Sequence, residues 1–109
     1  TVKQFLNLTF KNYKMAISIN RIELTADAVK LSFFKIGKAP AVDAYLKNDL
    51  RFITAALAAR QNQIYKSKKI SLSFLFLETG AEIVFSPDTK EFGIFERRIK
   101  EDLYNLSII

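Results

Sequence analysis

Two short stretches set a tyrosine ring among cations. Lys11-Asn12-Tyr13-Lys14 and Tyr65-Lys66-Ser67-Lys68-Lys69 each place a phenol beside lysine in polar sequence. Lys and Arg arrayed on one surface bind phosphates by displacing their counterions. Exposed aromatic rings add stacking on unpaired bases, about 1–3 kcal/mol per base. The residues selected for this chemistry are Lys11, Tyr13, Lys14, Arg21, Tyr65, Lys66, Lys68 and Lys69, with Tyr13 and Tyr65 as the stacking rings. Lys30, Lys35 and Lys38 extend the patch if an outer sheet face is open. The competing reading is that loop lysines serve solubility and that each tyrosine packs its ring and wets its hydroxyl.

The distribution of charge favours the first reading. Residues 1–76 carry thirteen Lys or Arg against four acids, a net of +9. Residues 77–109 carry four against seven, a net of −3, which gives the overall +6. Leu50 to Leu77 contains no acid and holds Arg51, Arg60, Lys66, Lys68 and Lys69. Charge separated in this way raises local potential and draws a polyanionic partner.

Other chemistries find little material. The chain has no Cys, His or Trp. Thiolate chemistry and cysteine zinc sites are therefore absent, as are the commonest general base and the commonest transition-metal ligand. Gly37, Gly80 and Gly93 stand too far apart for a phosphate-cradling glycine loop. Asp88 with Glu91, and Glu101 with Asp102, read as a helix cap and a solvated face. Nothing selects Glu23, Asp27 or Glu78 as a magnesium site. The expectation is a non-enzymatic protein without metal or cofactor. No apolar run approaches the roughly 20 residues that cross a bilayer, and no signal peptide is visible, so a cytoplasmic location without a membrane partner is expected.

The elements that must position these residues follow from periodicity. Alternation of Val2, Leu6, Leu8 and Phe10 with polar residues predicts a first strand. A second runs from Ala16 to Leu24. Ile17 and Ile19 there have opposite parity to Ile22 and Leu24, so a bulge near Asn20-Arg21 is needed to return all four to one face. A third spans Ala28 to Ile36. After the break at Gly37-Lys38-Ala39-Pro40 the spacing of Val42, Leu46, Leu50, Ile53, Leu57 and Ile64 predicts a helix with one apolar stripe. Its opposite face carries Asp43, Lys47, Arg51, Ala58 and Asn62. Residues 61–69 read as a fraying helix end and a loop. Ile70 to Leu77 is the clearest strand, followed by a turn at Glu78-Thr79-Gly80 and a return strand from Glu82 to Phe85. Asp88 and Glu91 form a capping box for a final helix with Phe92, Phe95, Ile99, Leu103 and Leu106 on one face.

The expected architecture is one α+β domain over residues 1–109, ordered β-β-β-α-β-β-α, with an antiparallel sheet of about five strands and two helices packed on it. A shift of 53 residues aligns seven identities over 37 positions, a weak internal duplication that implies a pseudo-twofold pair of units. The function this supports is phosphate-directed binding of nucleic acid, single strands included, with weak sequence preference. The binding protein is expected to be a homodimer, and the alternative is a protein–protein interaction or assembly module, a homo-oligomer without a nucleic-acid role. Its basis is surplus apolar surface at Ile94, Tyr104 and the terminal Leu106-Ser107-Ile108-Ile109.

Overall fold

The computed structural model describes residues 4–10, 13–37 and 49–108. The predicted element order holds, and the class is α+β with two helices, but the strands form two sheets and one of these is mixed. Strands β1 (Gln4–Phe10) and β2 (Tyr13–Ile19) form an antiparallel hairpin in which Leu6 lies opposite Ile17 and Leu8 opposite Met15. The period-two pattern puts Leu6, Leu8, Ile17 and Ile19 in the core and Phe5 outside.

The predicted second strand does not bulge at Asn20; it changes sheets there. Strand β3 (Arg21–Leu24) pairs antiparallel with β4 (Ala28–Lys35), and β1 has no part in that ladder. Asn20 makes the corner. Its N–H donates to the Ser32 carbonyl at 3.2 Å, and its side-chain Oδ1 accepts from the Phe34 N–H at 3.0 Å. The amide side chain thus replaces a backbone acceptor where the strand departs. Arg51 secures the corner from the helix side: its guanidinium donates twice to the Ser18 carbonyl and once to Asn20 Oδ1, and lies 4.7 Å from the Phe33 ring centre.

Helix α1 (Leu50–Gln61) connects β4 to β5 (Lys69–Phe76), and these two strands pair in parallel over eight positions, from Ala28↔Lys69 to Lys35↔Phe76. The expectation of an all-antiparallel sheet fails here for a topological reason. A crossover helix carries the chain back to the end where β4 began, so the next strand must run the same way. Strand β6 (Ala81–Phe85) returns antiparallel to β5 through a turn in which Gly80 takes φ +75°, giving the sheet order β3-β4-β5-β6. The implied pseudo-twofold does not fit this order. The 53-residue shift maps edge strand β3 onto central β5, whereas a twofold would exchange edge with edge.

Asp49 caps α1, accepting from the N–H groups of Arg51 and Phe52, and its other oxygen takes Lys35 Nζ at 3.2 Å. The predicted opening of the helix after the break, with Val42 and Leu46, lies outside the described residues. The single-stripe expectation is also corrected. All eight residues from Phe52 to Ala59 are buried, including Ala58 from the supposed polar face, whereas Leu50 is 51% and Ile64 62% exposed. The reason is enclosure, since β1, β2, β5 and α2 (Thr89–Ile108) all pack on this helix. Four of the eight are alanines, which allow close approach. Thr54 satisfies its buried hydroxyl on the Leu50 carbonyl at 2.9 Å. Phe52 stacks between Phe74 and Phe85, with ring centres 5.1 and 5.7 Å away.

Helix α2 follows its sequence pattern. Phe92, Phe95 and Ile99 are buried, and Leu103 packs against the same core. The capping box is present in both directions: the Glu91 N–H donates to Asp88 Oδ1 at 2.8 Å, and the Asp88 N–H reaches Glu91 Oε1 at 3.4 Å.

Candidate nucleic-acid interface

The two Tyr-Lys stretches come to one end of the molecule, and a single glutamine joins them. Gln61, the last residue of α1, accepts from the Thr9 N–H through Oε1 and donates to the Thr9 carbonyl through Nε2, both at 2.9 Å. Thr9 faces Lys14 across the hairpin, and Phe10 faces Tyr13. The end of the hairpin where β1 passes into β2 is thereby tied to the point where α1 enters the loop over residues 62–68.

That loop is ordered by its own backbone and by Asn62. The Asn62 Oδ1 accepts from the N–H groups of Ile64 and Tyr65 at 2.8 and 3.3 Å, and Lys66 N–H donates to the Asn62 carbonyl at 2.9 Å. Lys68 then reaches across to the β3–β4 turn, where its Nζ donates to the carbonyls of Thr25 and Ala26 at 2.8 and 2.7 Å. The Lys69 N–H donates to the Asp27 carbonyl. Loop and turn are held as one surface.

Of the eight selected residues, Tyr13, Lys14, Tyr65, Lys66, Lys68 and Lys69 gather at this end. Tyr13 is 40% exposed, and Lys14, Lys66 and Lys69 are exposed with no side-chain hydrogen bond or ion pair among the described residues. Lys68 is committed to the turn. Tyr65 is half-buried with its ring against the core. Lys11 lies outside the described residues, as does Lys38. Arg21 stands apart, on the face of the larger sheet, in a 3.0 Å ion pair with Glu23.

Sequence reading passed over Arg60 and Lys90, which belong to the same end. The Arg60 guanidinium sits 4.7 Å from the Phe92 ring centre, near the start of α2, and Lys90 is exposed on the first turn of that helix. Arg60 was visible as a member of the acid-free run. Nothing in the sequence marked Lys90, because it sits between Asp88 and Glu91. Those two carboxylates and Asp27 share this end, so its charge is mixed with a basic excess.

The sheet has a second face of interest. Alternation directs Val29, Leu31, Phe33, Ile70, Leu72 and Phe74 towards α1, and Arg21, Lys30, Ser32, Phe34, Ser71, Ser73, Leu75, Glu82 and Val84 away from it. Among the described residues no helix lies on this outer face. Phe34 and Leu75 there are half-buried, Val84 and Leu77 are exposed, and Ile36 is 96% exposed. Lys30 Nζ and the Ser73 hydroxyl both meet Glu82 Oε2 at 2.7 Å. The hydrogen bond from Lys30, then that from Ser73, and the positive charges of Lys30 and Arg21 hold the Glu82 carboxyl below its ordinary value near 4.5, against a smaller opposing effect of burial. None of the described helices is long and apolar enough to cross a membrane. Comparison with known protein families, with curated proteins and with solved structures finds no match to this chain.

Proposed function

We propose that this chain is a small, non-enzymatic, cytoplasmic protein that binds nucleic acid through its phosphates, with weak sequence preference and without metal or cofactor. The observation that supports this reading is the Gln61 clamp, which brings the hairpin end with Tyr13 and Lys14 beside the loop with Lys66 and Lys69. Three ammonium groups without a partner among the described residues, at one end, suit a flexible phosphate backbone. Arg60 and Lys90 add to them. Tyr13 is the ring placed to stack on an unpaired base, and Tyr65 supports the loop from beneath.

The test is a fluorescence titration of labelled single-stranded and duplex oligonucleotides across salt concentration, with K14A/K66A/K69A beside the wild type. The expected result is saturable binding whose slope of log affinity on log salt falls by about 2–3 in the triple variant, given about 0.7–0.9 per phosphate contact. Absence of wild-type binding at low salt overturns the proposal.

A second reading, a homodimer or assembly module, has a different support. Phe34, Ile36, Leu75, Leu77 and Val84 lie together on the outer face of the sheet, on which no described helix packs, and apolar surface of this kind is a common site of association. Light scattering tests it: a strict monomer up to high concentration counts against it.

A further inference from the structure

The outer face of the sheet holds four donors, of which Glu82 engages Lys30 and Ser73, Glu23 engages Arg21, and neither carboxylate reaches Ser32. Glu82 receives Lys30 and Ser73 on the same oxygen, Oε2, and its Oε1 takes no hydrogen bond from a described residue. Ser32 stands beside Ser73 in the parallel register and opposite Arg21 in the antiparallel one. Ser32 is 0% exposed, and its hydroxyl has no partner among the described residues, an expensive condition for a polar group sealed from water. Arg21 stands across from Ser32 on the same face, with its guanidinium in an ion pair with Glu23. A planar carboxylate arriving from an edge strand engages two of these donors. A tetrahedral oxyanion, with more oxygens and a greater charge, can engage all four.

We infer that Arg21, Lys30, Ser32 and Ser73 form an oxyanion site which Glu82 fills as a built-in competitor, and that its external ligand is a phosphate group of the bound nucleic acid. The identity of that ligand rests on the function proposed above; the site does not. Its position suits the ligand. Lys69 lies on the same strand face as Ser71 and Ser73, so the basic end and the site are parts of one surface, and no described helix blocks the path between them. Displacement of Glu82 opens the bridge over the serines and supplies the Ser32 hydroxyl with the acceptor it lacks. The wild-type protein therefore admits phosphate only against its own carboxylate, which weakens adventitious single anions and favours a polyanion already anchored by Lys66 and Lys69.

Inorganic phosphate is the probe, titrated into wild type, E82A and E82Q, with the amide resonances of Ser32 and Ser73 as the readout. E82Q keeps the side-chain volume and answers the question if E82A folds poorly. The expected result is at least tenfold tighter phosphate binding in E82A and E82Q than in wild type, lost again in E82Q/S73A and E82Q/K30A. No gain in either single variant overturns the site. A gain that survives both double variants also overturns it, because loss of one negative charge anywhere would then suffice. Oligonucleotide titrations separate the two proposals. If wild type binds oligonucleotide while neither single variant gains phosphate affinity, this site fails alone. If the phosphate gain is seen and no oligonucleotide binds, the site stands and its ligand is another phosphate compound.

Discussion

Replacing Gln61 by alanine removes the only described side-chain link between the end of α1 and the hairpin, and its consequences are calculable. Two hydrogen bonds to Thr9, both 2.9 Å, are lost. A typical bond contributes about 0.5–1.5 kcal/mol net. Thr9 is exposed, so water takes up its N–H and C=O once the amide has gone, and the loss sits at the lower end of the range for two such bonds, about 1–2 kcal/mol. Urea unfolding of Q61A should show a midpoint lowered by roughly 1 M or somewhat less at an unchanged slope, for a slope of about 1–3 kcal/mol/M. The local readout is sharper. The Thr9 amide has its acceptor in Gln61, so its hydrogen exchange should accelerate in Q61A while the amides of β5 keep their protection. Affinity for oligonucleotide should also fall although no charge has changed, because the two lysine groups are no longer held together. Unchanged exchange at Thr9 would refute the clamp. Unchanged oligonucleotide affinity with faster exchange would refute its role in joining the interface.

Phe52→Ala should cost about 3–5 kcal/mol, since it empties the space between Phe74 and Phe85 at the centre of the core; thermal or urea unfolding measures it. Asp88→Ala should cost about 1 kcal/mol through the N-terminal turn of α2, visible as faster amide exchange at Glu91. The Glu82 carboxyl titrates below 4.5 in the folded protein, so its stabilisation is fully present above that pH and is lost as the pH falls through the lower folded value. Thermal melts between pH 5 and 3 should therefore decline less steeply in E82Q than in wild type. An identical decline would show that the bridge from Lys30 and Ser73 contributes nothing to the acid limb.

What the sequence made legible was local. Phe92, Phe95 and Ile99 declared the buried face of α2, and Asp88 with Glu91 declared its start, because both signals lie within one or two turns. The alternation in β5 was equally plain. Pairing was not legible, because β4 and β5 carry the same alternation whether they run parallel or antiparallel, and only the course of α1 decides between them. The enclosure of α1 was hidden for a related reason. A stripe is inferred from one helix alone, and Ala55, Ala56, Ala58 and Ala59 suit a solvent face and a crowded interior equally well. At the candidate interface the cations were readable and their engagements were not. Lys68 and Arg51 look free in a list of residues, yet one holds a turn and the other a corner. Gln61, an ordinary polar residue at a helix end, gave no warning that it would join the two loops.

The burial of α1 from Phe52 to Ala59 has a consequence for the order in which the chain is made. Strands β1 and β2 leave the ribosome before α1 does, and the apolar face formed by Leu6, Leu8, Ile17 and Ile19 has α1 as its cover. The parallel ladder that closes the sheet joins positions forty-one residues apart, so it too waits for β5. Long-range pairing of this kind is slow to form and leaves apolar surface bare in the interval. Until α1 and β5 have emerged, the nascent hairpin presents a sticky flank to whatever escorts new chains, and a synthesis pause after β2 has emerged and before α1 has would lengthen that exposure.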